Sequence, residues 1–176
     1  VGYQAAAYSN VVIISGTASI FCVERRVALG AAGSGNAMAV SNGGMLTARE
    51  TAEGLYGTAR SNRIVVAGSG AVWSNQCDAY IGVDGSRNEW TARDGAFVHS
   101  RATVVGWSAQ SMGNQMRIEG QDSLWIASRA LVDGRDGHSN LCVVSGGGRL
   151  VSGSTLIGAS QLASNNALCV SDPGSS

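Results

Sequence analysis

Few residues in this chain have the type and spacing needed for chemistry. Asp94, Glu119 and Asp122 fall around one turn of successive copies of a 26-residue repeat, with Arg93 and Arg117 beside them. Carboxylates gathered near arginines suit acid–base catalysis or cation binding, although a calcium site wants more convergent oxygens. Glu24 and Glu50 share a repeat position on adjacent copies, but Arg25, Arg26 and Arg49 surround them, which reads as a solvated turn of mixed charge. His99 and His138 lack partners for a triad or a metal site. The cysteines Cys22, Cys77, Cys142 and Cys169 occupy different repeat positions and show no CxxC spacing, so neither zinc nor a stacked disulfide is expected. Cys142 should point inwards and Cys169 outwards. Phe21, Trp73 and Trp125 lie 52 residues apart. Strand alternation beside an inward neighbour turns them outwards, as a stacking row for carbohydrate; packing at a corner is the other reading. No metal or cofactor is expected.

These residues must be positioned by the repeat itself. Asn10, Asn36, Asn62, Asn88, Asn114, Asn140 and Asn166 follow one another at 26 residues without a slip. With each Asn as repeat position 1, position 3 is Val12, Met38, Ile64, Trp90, Met116, Cys142 and Leu168. Position 5 is Ile14, Val40, Val66, Ala92, Ile118, Val144 and Val170, and the residues between are mixed. That alternation is the mark of a half-buried strand. Position 11 is apolar again, from Ile20 and Leu46 through Leu150, and should also face inwards. A 52-residue period overlies the first, in Gly2, Gly54, Gly106 and Gly158 and in Gly30, Gly82 and Gly134.

One copy cannot bury its apolar face alone, whereas copies stacked at about 4.8 Å form a continuous core. The expectation is therefore an all-β parallel β-helix, or β-solenoid, right-handed, with six to seven coils in one domain over residues 1–176. No helical apolar stripe is present. The Asn row has two readings. Asn tolerates the left-handed backbone of a turn, and stacked amides hydrogen-bond one another; alternatively the row is a surface lattice of amides for a sugar.

Twelve arginines, no lysine and twelve acidic residues leave zero net charge, which argues against nucleic-acid or anionic-membrane partners. Counted from the Asn, the arginines fall at many positions, and no polyanion stripe is visible. No apolar run is long enough to span a bilayer as a helix. The chain starts and stops inside a repeat without a polar or helical cap, so its strand edges invite either further repeats or end-to-end pairing with another copy.

The segments Asn62-Arg-Ile-Val-Val-Ala-Gly-Ser-Gly-Ala-Val-Trp73, Ala79-Tyr-Ile-Gly82 and Asn36-Ala-Met-Ala-Val-Ser-Asn-Gly-Gly-Met-Leu46 resemble repeats of bacterial autotransporter-type surface proteins. The likeness runs through the whole chain. It implies a passenger-domain β-helix displayed outside the cell as a stalk or adhesin that meets a carbohydrate or host-surface ligand. No catalytic residue of the family carries over, so a non-enzymatic protein is expected, and the uncapped strand edges add filament building to that expectation. The Asp94, Glu119 and Asp122 group with its arginines resembles the acidic clusters of β-helical polysaccharide lyases. The alternative is thus a carbohydrate-acting β-helix enzyme or a tailspike-like carbohydrate-binding protein.

Overall fold

Every copy of the repeat begins with a strand whose alternate residues are apolar: β1 (Val11–Ser15), β3 (Ala37–Ser41), β5 (Arg63–Ala67), β8 (Glu89–Arg93), β10 (Gln115–Glu119), β12 (Leu141–Ser145) and β15 (Ala167–Val170). In the computed structural model, which describes all residues from Val1 to Ser176, these seven form one parallel sheet. Partners in it are 26 residues apart throughout, as in Val12–Met38, Ile64–Trp90 and Met116–Cys142.

The rest of each copy builds a second parallel sheet from β2 (Ile20–Leu29), β4 (Met45–Glu53), β6 (Val72–Asn75), β7 (Ala79–Ile81), β9 (Phe97–Val105), β11 (Leu124–Asp133), β13 (Arg149–Ser152) and β14 (Thr155–Ile157). A bulge breaks this sheet into two faces. Glu24 and Arg25 stand opposite Arg49 alone, and Ser128 and Arg129 stand opposite Arg101 alone. The molecule is a β-solenoid of about six coils with no helix. Each coil has three faces, joined at a turn corner, a bulge corner and a glycine corner.

The turn corner explains the two-coil period. Four residues link β1 to β2, β5 to β6 and β10 to β11, whereas three link β3 to β4, β8 to β9 and β12 to β13. The extra residue shifts the following strand by one position, and a one-residue shift exchanges its inner and outer faces. Phe21 therefore pairs with Leu46, Trp73 with Leu46 and Val98, and Trp125 with Val98 and Leu150. Trp73 and Trp125 are fully buried, which overturns the outward stacking row; Phe21 shares their column on the first coil and is partly exposed there. The same shift turns Ile20, Val72 and Leu124 outwards beside Met45 and Phe97, so position 11 faces the core in alternate coils only.

The core they join is one continuous cluster. Trp90 sits edge-on between Trp73 and Trp125, with ring centroids 4.9 and 5.0 Å away. The indole N–H groups of Trp73 and Trp125 donate to the hydroxyls of Thr51 and Thr103 at 3.1 and 2.9 Å. Thr51 and Thr103 thus recur 52 residues apart because each serves the Trp of the next coil.

Candidate functional site

The Asn row lies inside the glycine corner, and Asn36, Asn62, Asn88, Asn114 and Asn140 are buried. In every coil the backbone N–H and the side-chain Nδ2 of one Asn both donate to Oδ1 of the Asn one coil on, as from Asn62 to Asn88 at 3.1 and 3.0 Å. The same pair of bonds runs from Asn10 to Asn36 and from Asn140 to Asn166. Burial removes the reading of a surface lattice of amides. The left-handed turn belongs to the residue before each Asn: Ser9, Gly35, Ser61, Arg87, Gly113, Ser139 and Asn165 have φ between 54° and 65°.

The corner glycines complete this unit. Gly30, Gly54, Gly82, Gly106 and Gly134 have positive φ, and a Cβ at any of them would overlap the ladder amide of the next coil. Only Gly meets both demands.

The acidic group is not assembled into a site. Asp94 pairs with Arg93 at 2.8 Å and Glu119 with Arg117 at 3.3 Å, while Asp122 lies in the turn after β10 with φ of 65°. No three His, Cys, Asp or Glu side chains gather so as to hold a metal ion. Glu24 and Glu50 do not stack either, since the bulge sets Glu50 opposite Arg26, whose guanidinium it binds at 2.6 Å. All four cysteines are free thiols; Cys142 is buried and Cys169 exposed.

A surface missed by the repeat register lies on the third face, beside the glycine corner. Counting back from the corner glycines aligns its columns. Two residues before them come Ala52, Tyr80 and Val104, and one residue after come Leu55, Val83, Trp107 and Arg135. The ring of Tyr80 stands edge-on to Trp107 with centroids 5.3 Å apart, and the Arg135 guanidinium lies 3.7 Å over the Trp107 ring. Both contacts hold the indole at a fixed angle. Arg26, Glu50, Ala52, Leu55, Tyr80, Val83 and Trp107 line a groove of about 150 Å³. Burial, and then the Asp78 charge, push the Tyr80 phenol up to about 12, so it stays a neutral donor. Asp78 itself is held low, chiefly by its hydrogen bonds from the Arg101 guanidinium at 2.9 and 3.0 Å.

A second concavity of about 400 Å³ adjoins the groove, lined by Arg25, Arg26, Arg49 and Glu50. The two share Arg26 and Glu50, so aromatic and cationic surface form one continuous strip. Aromatic faces next to a guanidinium–carboxylate pair offer a sugar both a stacking plane and fixed hydrogen-bonding groups.

The chain matches no protein-family model, and comparisons with curated proteins and with solved structures give no match either. No helix is long and apolar enough to cross a membrane.

Proposed function

We propose that the chain is a non-enzymatic, structural and adhesive β-solenoid displayed at a bacterial surface, with a carbohydrate-facing groove on its third face. The observation that carries this reading is the groove between Tyr80 and Trp107, rimmed by the Arg26–Glu50 pair. The strictly periodic residues are consumed by the scaffold, which leaves this surface as the place for recognition. The extracellular setting rests on the likeness of the repeats to autotransporter-type passengers. A glycan array probed with the whole chain and with Trp107→Ala tests the groove. Binding by the parent that falls at least severalfold in the variant supports it, and equal binding by the two proteins contradicts it.

The competing reading is a carbohydrate-acting enzyme, with polysaccharide cleavage at Asp94, Glu119 and Asp122, or a tailspike-like carbohydrate-binding protein. Product release from the bound glycans, measured with and without calcium and lost in Asp122→Ala, would favour that reading. End-to-end association of the solenoid belongs to the adhesive reading, and sedimentation at rising concentration tests it.

A further inference from the structure

The bulge corner holds a column that the 26-residue count hides. Arg26 faces Glu50 across β2 and β4, which places Arg25 beside Arg49. The Cys77 N–H donates to the Arg49 carbonyl at 2.7 Å, and the Arg101 N–H donates to the Cys77 carbonyl at 2.9 Å. Ala102 faces Ala130 across β9 and β11, which sets Arg129 beside Arg101. Arg25, Arg49, Cys77, Arg101 and Arg129 thus stand one above another, each five residues before a corner glycine. Four of these five coils carry an exposed arginine, so the chain has a cationic ridge despite its zero net charge.

Most of this charge is unspent. Arg101 is held by Asp78, but Arg25, Arg49 and Arg129 take part in none of the ion pairs of the molecule. Guanidinium groups bind carboxylate or sulfate with paired, planar hydrogen bonds. Rungs about 4.8 Å apart put such forks on adjacent coils at Arg25 and Arg49 and, beyond the Cys77 coil, at Arg101 and Arg129. The ridge runs parallel to the rod and borders the Tyr80–Trp107 groove, whose rim includes Arg26.

We propose that this ridge binds a linear acidic polysaccharide, carboxylated or sulfated, laid along the rod with its sugar rings against the groove. The inference rests on the carbohydrate reading above and names the class of sugar polymer. Charge density selects this occupant. A nucleic-acid duplex carries one negative charge per about 1.7 Å of its axis, far denser than the ridge's arginines. Glu24, Glu50 and Asp78 interleave the ridge and would repel so dense a chain. A polymer with one charge per sugar or two suits the wider spacing.

The test measures binding of the whole chain to polygalacturonate, dextran sulfate, neutral dextran and single-stranded DNA at two salt concentrations. The parent should bind one or both acidic polysaccharides, more weakly at higher salt, and neutral dextran far less. The triple variant Arg25→Ala, Arg49→Ala, Arg129→Ala should lose about tenfold or more of that affinity and most of its salt dependence, with an unchanged melting temperature. Tighter binding to DNA than to either polysaccharide overturns the proposal. Equal binding of acidic and neutral polymers also overturns it. Affinity unaltered in the triple variant but reduced in Trp107→Ala removes the ridge and leaves the groove standing. No glycan binding by the parent removes both.

Discussion

Two corners of the same coil are built in opposite ways. At the glycine corner a buried amide column keeps a 26-residue register, and each Asn is hydrogen-bonded to the next while a glycine without a Cβ lies over it. At the bulge corner the column of Arg25, Arg49, Cys77, Arg101 and Arg129 is spaced 24 and 28 residues apart in alternation, and its arginines are exposed and largely without partners. What repeats strictly in the sequence is what holds the rod together. What aligns only in space is the exposed surface proposed above for recognition. The two registers coexist because coils alternate in where they carry their extra residues. Twenty residues run from Asn10 to Gly30 and six on to Asn36, against eighteen from Asn36 to Gly54 and eight on to Asn62.

If that division is right, substitutions in the core and at the buried corner act on stability, and substitutions on the ridge do not. Trp73→Ala removes a fully buried ring between Leu46, Val98 and Trp90 and should cost about 3–5 kcal/mol in thermal or denaturant unfolding. Phe21→Ala, in the same column on the first coil, should cost far less. Equal costs would contradict the inward column. Asn114→Ala deprives the Asn88 backbone N–H and Nδ2 of their acceptor in a buried setting. A loss of about 3 kcal/mol is expected, read as a drop in melting temperature. An unchanged melting point would break the ladder account.

Next in size come two carboxylates in the inward column just before the corner glycines. Glu53 is buried with neither carboxylate oxygen hydrogen-bonded, and burial followed by the Glu89 charge raises its pKa well above the usual range. Burial pushes Asp133 up to about 7. Both folded values exceed the unfolded one near 4. The folded chain therefore binds more protons than the unfolded chain, and the stabilisation from protonation, complete below about pH 4, is lost as pH rises, towards about 7 for Asp133 and through the raised value of Glu53 for that residue. Melting temperature should decline over that interval, and Glu53→Gln or Asp133→Asn should flatten the decline. A profile that rises with pH would count against both. The smallest effect belongs to the ridge: the triple Arg25→Ala, Arg49→Ala, Arg129→Ala variant should unfold within about 0.5 kcal/mol per site of the parent, as exposed unpaired side chains do.

These differences also mark what could be read in the sequence. The Asn column, the strands at repeat positions 2–6 and the inward Trp90 follow from spacing alone, because the first sheet never changes register. Trp73 and Trp125 are misplaced by alternation because one additional residue, as in Gly68-Ser69-Gly70-Ala71 against Asn42-Gly43-Gly44, inverts the strand that follows. Arg25, Arg49, Arg101 and Arg129 look scattered because the extra turn residue and the extra bulge residue together move them by two repeat positions. Measured from the corner glycines these four of the twelve arginines fall in line, so the signal was present in a second register. The partnership of Tyr80 with Trp107 had no such signal, since it joins two columns and two coils through side-chain packing.

Amide hydrogen exchange over the whole chain tests the division between the corners most directly, because protection reports which hydrogen bonds open only when the fold does. The backbone amides of Asn36, Asn62, Asn88 and Asn114 should rank among the slowest to exchange, while Gly57, Thr58, Ala109 and Gln110, exposed and without a backbone acceptor in the loops after Gly54 and Gly106, exchange rapidly. Ladder amides that exchange as fast as those loops would contradict the account.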